Sequence, residues 1–403
     1  MKFAHMADAH IGAWRDPKLK DLSMLAFLKA VDIAVEQRVD FILFAGDIFN
    51  TSMPGIDFLK ETTKKLKEVK EKNIPVYIIP GSHDQSPSGK TMLDVLEEAG
   101  LLINVVKGEV TKDNKLKLKF TVDKKTGTLI TGLLGKRGML EKKYYENLDK
   151  TDLENTPGTK IFMFHTALTE LKPKFLEKMD SNPISFLPSG FEYYAGGHVH
   201  IVRQENLDGY KNVVYPGPLM PASFSELEKL KMGSFFIYNH GKLEKIPIEI
   251  VKVYPIELNA NHKSPENVFQ DLQTIFKDQN FKDTIVLIRV HGKLKNGRPS
   301  DVNFKSIFDS LYQQNAYFVM KNTSKLSSEE FEEVKINTAS VEDIENSIIK
   351  EHLGQIKFSV ENELETTKDL MKTFSSEKHE GEKVYEYDER IKRSVSEILM
   401  RQK

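Results

Sequence analysis

A chain of 403 residues is long enough for two or three units, each with a core of its own. It contains no cysteine, which excludes disulfides, thiolate zinc sites and cysteine nucleophiles and leaves oxygen and imidazole nitrogen as the ligands for any metal. The 58 basic and 59 acidic residues nearly cancel, so net charge decides nothing about a nucleic-acid partner, and no apolar run approaches the roughly 18 to 20 residues of a membrane span.

Taken in chain order, the first elements alternate strand and helix. An apolar run at 3–6 reads as a strand and stops at Asp8 and His10. Residues 18–38 follow as a helix, with Met24, Leu25, Leu28, Val31 and Val35 spaced for one face. A second strand, 41–44, stops at Asp47, and a third, 76–79, stops at His83 and Asp84. A short helix at 91–99 is closed by Gly100. Strand 161–164 leads to His165, and Gly196-Gly197 leads to His198 and His200. Residues 233–250 read as a strand pair turning at Asn239-His240-Gly241. These elements make 1–252 an α/β domain.

Residues 253–337 have their own rhythm, with helices at 268–276 and 304–312 and strands at 284–291 and 316–321, and are expected to form a small α+β domain. In the segment 338–403, Ser340 precedes a helix carrying Ile344, Ile348 and Leu353 and stopped by Gly354, and 360–374 repeats the helical pattern. A polar linker, 375–383, precedes a terminal helix whose apolar stripe is Tyr387, Ile391, Val395 and Ile398. That stripe either packs back on its own chain or docks on a partner.

One arrangement thus recurs: a strand ends, and an Asp or His follows, usually beside glycine. In an α/β sheet the carboxyl ends of the strands share an edge, so these side chains are expected to converge there on a metal site. Two divalent ions can activate a water and hold the attacking and leaving oxygens of a phosphoester, which requires a bridging carboxylate. Asp47 is the expected bridge; Asp8, His10 and His200 complete one ion, and His165 and His198 serve the other. Oxygen and imidazole ligands suit two Mn2+ ions, with Mg2+ or another divalent metal as alternatives. The histidines at 5, 240, 262, 291, 352 and 379 are read as ordinary hydrogen-bonded or exposed side chains.

The order Asp8-Ala9-His10, Gly46-Asp47, Gly81-Ser82-His83-Asp84, His165 and Gly197-His198-Val199-His200 resembles the signature of the calcineurin-like metallophosphoesterases. Within that superfamily, His5-Met6-Ala7-Asp8-Ala9-His10-Ile11-Gly12, Gly46-Asp47-Ile48-Phe49 and Tyr215-Pro216-Gly217-Pro218 are similar to the nuclease subunit of double-strand-break repair, the meiotic recombination eleven or SbcD-like family. The resemblance implies a sandwich of two mixed sheets flanked by helices, a small capping domain that shapes DNA access, and a C-terminal helical segment that grips an ABC-type coiled-coil ATPase. It further implies a homodimer formed through the helices around 58–69 and 91–99, exonuclease and endonuclease activity on DNA, and a cytoplasmic, nucleoid-associated location; the opening residues, lacking a signal-peptide pattern, agree with that location.

Two positions depart from the family pattern. Ser82 stands where the family places an asparagine ligand of the second ion, and Asn50 where active members commonly carry histidine. His83 is then the candidate to contact the scissile phosphate or protonate the leaving group. Phosphate contacts are expected from Arg15, Lys18 and Arg203 near the site, whereas Lys60, Lys64, Lys65, Lys67, Lys70 and Lys72 alternate with acids and read as a solvated helix face. Trp14 is expected to pack under its loop. Three function classes follow: a metal-dependent DNA nuclease, a phosphatase or nucleotide phosphoesterase, and a DNA-end-binding scaffold with little hydrolysis.

Overall fold

A computed structural model describes all residues except 87, 88, 137, 139, 278, 330–362, 380, 381 and 401–403. The chain divides into two compact units, 1–327 and 328–403. The first unit opens with β1 (Lys2–Met6), α1 (Pro17–Glu36), β2 (Phe41–Ala45), α2 (Ile56–Glu71), β3 (Val76–Ile79), α3 (Met92–Glu98) and β4 (Ile103–Asn104). A small hairpin, β5 (Gly108–Val110) and β6 (Leu116–Leu118), precedes β7 (Thr121–Val122), β8 (Leu129–Leu133), the short helices α4 (Lys142–Glu146) and α5 (Thr151–Asn155), β9 (Lys160–His165) and β10 (Tyr193–Gly197). There follow β11 (Val202–Leu207), β12 (Tyr210–Pro216), α6 (Phe224–Leu230), β13 (Gly233–Asn239) and β14 (Lys242–Ile248).

These strands form two six-stranded mixed sheets, ordered β14-β13-β1-β2-β3-β4 and β11-β12-β10-β9-β8-β7. The four strands from β1 to β4 run parallel, as do β8, β9, β10 and β12. The sheets face each other over a core of Phe3, Phe41, Leu43, Tyr77, Ile161, Met163, Tyr193 and Tyr238. Alternation along β2 shows why its run reads as continuously apolar: Phe41, Leu43 and Ala45 enter the sandwich, while Ile42 and Phe44 face α1. The architecture is therefore the expected sandwich of two mixed sheets flanked by helices, with strand ends of both sheets meeting at one edge.

The buried face of α1 includes Met24 and Val31 as expected, with Leu28 and Val35 packed beside them, but it is wider than its large residues indicate. Leu25 is 48% exposed, and the contact ridge is built by Leu22, Ala26, Phe27, Ala30, Val31 and Ala34. Alanines spaced four apart let the helix lie close to the sheet, and a count of large apolar residues overlooks them. Asp16 caps the helix by accepting the N–H of Lys18.

A second sheet system completes the unit: β15 (Lys252–Asn259), α7 (Pro265–Phe276), β16 (Thr284–Leu294), α8 (Phe304–Gln313) and β17 (Phe318–Ser328), with strand order β15-β16-β17. The last strand begins later and runs further than its sequence indicates. Val286, Ile288 and Val290 of β16 fill a core of this sheet and its helices, while Ile285 and Leu287 on the opposite face join the core around α1. Arg289 pairs with Glu228 of α6 through two bonds of 2.7 Å, and the Tyr317 hydroxyl donates to the Lys18 carbonyl.

In the second unit, helices Glu363–Phe374 and Val384–Met400 pack on each other. Tyr387, Ile391, Val395 and Ile398 are half-buried. The stretch expected as a free linker is tied down in part: Arg390 holds Glu382 at 2.8 and 3.0 Å and the Glu377 carbonyl at 3.1 Å. The expected helix after Ser340 lies outside the described residues, as does the start of the 360–374 pattern. Among the described residues, no helix is long and apolar enough to cross a membrane.

Candidate metal centre

Asp8 and His10 leave the end of β1, Asp47 the end of β2, Ser82 and His83 the loop after β3, His165 closes β9, and His198 and His200 follow β10. The register places Gly196 and Gly197 of β10 beside Phe164 and His165 of β9, so the histidines of both strands emerge at one edge. Asp8, His10, Asp47, His198 and His200 all have positive φ, from 41° to 94°. Non-glycine residues adopt that region reluctantly, and clusters of them mark sites where surrounding structure holds the backbone against strain. The turns that aim these side chains are thus part of the site.

Three overlapping donor groups result: Asp8, His10 and His200; His10, Asp47 and His83; Asp8, Asp47 and His165. Within each, the ligand atoms lie within 4.8 Å of one another. Asp47 belongs to two groups, as a bridging carboxylate must. The His10 and His200 Nε2 atoms are 2.9 Å apart, His165 Nε2 lies 3.1 Å from Asp47 Oδ2, and His200 Nε2 is 3.9 Å from Asp8 Oδ1. His198 brings its backbone N–H to Asp8, 3.0 Å from both oxygens, and its ring stands 5.2 Å from that of His165.

Charge in this pocket is balanced by protons. Burial pushes His10 and His198 down to about 3. Burial opposes charge on His165 and His200 as well, but Asp47 outweighs it at His165, raised to about 10, and Glu226 with Asp8 outweighs it at His200, raised to about 9. Against its own burial, Asp47 is held below the usual carboxylate range by His165. Two buried carboxylates and several imidazoles whose oxygen and nitrogen atoms lie within 4.8 Å of one another in each group are a donor set that fits divalent metals.

The remaining predicted residues divide. His83 donates its backbone N–H to Asp47 Oδ1 at 2.7 Å, and its Nδ1 lies 2.8 Å from the Asn50 carbonyl. Asn50 thereby enters the site through its backbone. The Ser82 hydroxyl is 3.4 Å from Asp47 Oδ2. Arg15 and Lys18 are exposed near the start of α1, while Arg203 pairs with Glu205 at 3.0 Å. Trp14 is half-buried and donates to the Pro221 carbonyl. In α2, Lys65 is engaged by Asp32 and Glu68. A groove of about 640 Å³ adjoins the cluster, reached by His198 and His200 and lined further by Phe175, Leu176, Arg203 and Lys229.

Two residues have roles in the site that the sequence reading did not assign: Asp84, which it placed at the strand end without a task, and Glu226, which it did not name. Asp84 is fully buried, accepts the N–H groups of Asp47, Gly81 and Phe49, and so locks the loops after β2 and β3 together. Burial, with the nearby Asp47 charge, raises its carboxyl to about 7. Its place beside His83 was the available signal. Glu226 of α6 lies 3.2 Å from His200 Nδ1, and Ser223 three residues earlier marks it only as a helix-capping pattern.

Comparison with known proteins agrees with this geometry. The calcineurin-like phosphoesterase family model matches residues 1–202. The chain is similar to proteins named DNA double-strand break repair protein Mre11. That of Methanococcus maripaludis is 26% identical over 374 residues, 89% of this chain and 93% of that protein. That of Sulfurisphaera tokodaii is 28% identical over 360 residues, 85% and 86% of the two chains. With the Archaeoglobus fulgidus protein the identity is 28% over 278 residues, 64% of this chain but only 61% of the relative's length.

Proposed function

We propose, from the premise that this chain belongs to the calcineurin-like phosphoesterase family, that it is the nuclease subunit of a DNA double-strand-break repair complex and hydrolyses DNA phosphodiester bonds with two divalent cations, Mn2+ foremost. The observation that carries the reading is the convergence of three overlapping donor groups at one edge of the sandwich, sharing Asp8, His10 and Asp47, with Asp47 Oδ2 3.8 Å from His10 Nε2 and 3.1 Å from His165 Nε2. Asp8, His10, Asp47 and His200 would hold one cation, and Asp47, His165 and His198 the other. When bound, such cations supply positive charge against the phosphate oxygens and make a water acidic enough to attack.

The protein's own groups do the rest. His83, fixed by Asn50 at Nδ1, presents its other ring nitrogen to the cluster, where it can contact the scissile phosphate or hand a proton to the leaving oxygen. Arg15, Lys18 and Arg203 are the proposed phosphate contacts; an Arg203 freed from Glu205 can reach along the groove beside His200. The β15 to β17 sheet is the proposed cap over DNA access, within a domain division at 252 and 337. The C-terminal helices are the proposed grip on an ABC-type coiled-coil ATPase, α2 and α3 the homodimer surface, and the cytoplasm, at the nucleoid, the place of action. The Mre11 names of its relatives support this assignment.

Ser82 supports a second reading, a DNA-end-binding subunit with little hydrolysis, because its hydroxyl reaches less far than an asparagine amide. The test is Mn2+-dependent digestion of linear duplex and hairpin DNA, beside a chromogenic phosphodiester, with wild type and His83→Ala. Cutting of DNA that falls about 10²- to 10⁴-fold in the variant is expected. Turnover of the small ester alone would favour a phosphatase or nucleotide phosphoesterase, and tight DNA binding without turnover the scaffold. Removing residues 385–403 should abolish co-purification with the ATPase while DNA cutting persists; retained co-purification would reject that role.

A further inference from the structure

We infer that Glu226 is a positioning residue of the metal centre, fixing the tautomer and bearing of His200. The inference rests on the reading of His200 as a metal ligand. Glu226 uses its two carboxylate oxygens for two different tasks. One accepts the Ala222 N–H at 2.9 Å, closing the start of α6, where the Ser223 hydroxyl accepts the Glu226 N–H at 3.2 Å. The other lies 3.2 Å from His200 Nδ1. An ionised carboxylate only accepts, so this contact keeps a hydrogen on Nδ1 and makes Nε2 the nitrogen that a metal ion would take. Nε2 is the atom that faces His10 and Asp8, at 2.9 and 3.9 Å.

The other histidines show why this matters. His165 is fixed through Nδ1 by the Ala45 carbonyl at 2.8 Å, a backbone group of a central strand. Among the described residues His200 has no such backbone partner, and it depends on a side chain carried by a seven-residue helix. That helix is itself held from outside: Glu228 forms the twin 2.7 Å bonds to Arg289 of β16, whose guanidinium also stacks 5.2 Å from the Phe224 ring. The bearing of His200 therefore depends on Glu226 directly and on Arg289 at one remove.

The experiment uses the full chain in four variants, Glu226→Ala, Glu226→Gln, Ser223→Ala and His200→Ala, with calorimetric Mn2+ titration and long-range 1H–15N spectra of the metal-free imidazoles taken above the raised His200 value of about 9, where the ring is neutral. Glu226→Ala should weaken one Mn2+ site about 10- to 100-fold and let His200 populate both tautomers. Glu226→Gln keeps an acceptor and should retain the Nδ1–H form. Ser223→Ala loses the helix cap and should melt lower with Mn2+ affinity intact. If Glu226→Ala binds Mn2+ as wild type does while His200→Ala does not, the positioning role is overturned and the site stands. Should His200→Ala also bind normally, the site reading itself falls. A Glu226→Ala loss matched by Ser223→Ala would reduce Glu226 to a helix cap.

Discussion

The two halves of the metal centre are built differently. The half at the ends of β1, β2 and β3 supplies both carboxylates and braces itself: Asp47 accepts the His83 N–H, and Asp84 gathers the N–H groups of Asp47, Phe49 and Gly81. The half at the ends of β9 and β10 supplies imidazoles alone, and each tie that orients them comes from elsewhere: Ala45 for His165, Glu226 for His200. Asp8 in turn takes the His198 N–H from across the sandwich. A carboxylate needs donors, which neighbouring loop backbone provides; an imidazole needs an acceptor and a fixed plane, which its own loop does not provide. The centre therefore exists only while the two sheets are docked.

Removing the shared ligand is the most severe way to break that arrangement. Asp47→Ala deletes the carboxylate proposed to bridge the two cations, and DNA cleavage should fall by at least about 10³-fold, several kcal/mol of barrier. Calorimetry should find Mn2+ binding lost at both sites; retention of one tight site would show that Asp47 does not bridge. Gly46→Ala attacks the seam between the halves. Its φ is +85°, and a methyl there would meet His165 Nδ1 at 2.3 Å and Gly81 Cα at 2.9 Å. Backbone strain and overpacking together should cost about 2 to 4 kcal/mol in a denaturant titration and displace His165. A variant of wild-type stability with normal Mn2+ binding would contradict that geometry.

What the sequence made legible follows the same division. Strands such as β2, buried on both faces, write themselves as apolar runs, and a chemically distinctive Asp or His at each end announces the edge. The backbone torsions of Asp8, Asp47 and His198 were not legible, because positive φ is ordinarily signalled by glycine and these residues adopt it under tertiary constraint. The face of α1 was legible in part: Met24 and Val31 are buried as expected, but Leu25 is exposed, and Ala26, Ala30 and Ala34 contribute contact without bulk. Strands β5 to β8 went unread, being two to five residues long, with β6 broken in its middle by a lysine. Glu226 was invisible as a site residue because its partner His200 is distant in sequence and meets it only in the fold.

A milder probe acts on the interface between the sheets. His5 is fully buried there, with Nδ1 at 3.0 Å from the Tyr193 hydroxyl, and burial lowers it from 6.5 to about 3. Its folded pKa is depressed, so the unfolded chain takes up the proton first as pH falls, and stability is lost progressively from pH 6.5 towards 3. His10 and His198 act in the same sense, whereas the raised Asp84 carboxyl opposes them by binding its proton in the folded state first. Comparing wild type with His5→Phe isolates the one residue. In metal-free protein the variant's stability should depend on pH less steeply across this window, by up to about 1.4 kcal/mol per pH unit, one proton's worth. Parallel curves would mean that His5 is protonated alike in both states.

The smallest expected effect belongs to the site's departure from its family, and it sharpens the contrast between the halves. Ser82 lies in the self-braced half, 7% exposed, with its hydroxyl 3.4 Å from Asp47 Oδ2. A serine oxygen stands one bond from Cβ; an asparagine amide oxygen stands two bonds away and can pass Asp47 towards the donors on the β9 side, where Asp47 is the ligand proposed to reach His165 and His198 from the opposite loops. Ser82→Asn should therefore tighten the weaker of two Mn2+ sites and raise DNA cleavage several-fold, about 1 kcal/mol, with the other site unchanged. Titration that separates the two affinities checks both statements together. Equal tightening of both sites would place the new amide on the shared carboxylate instead, and no change in either would show that the imidazole half completes its coordination without help from position 82.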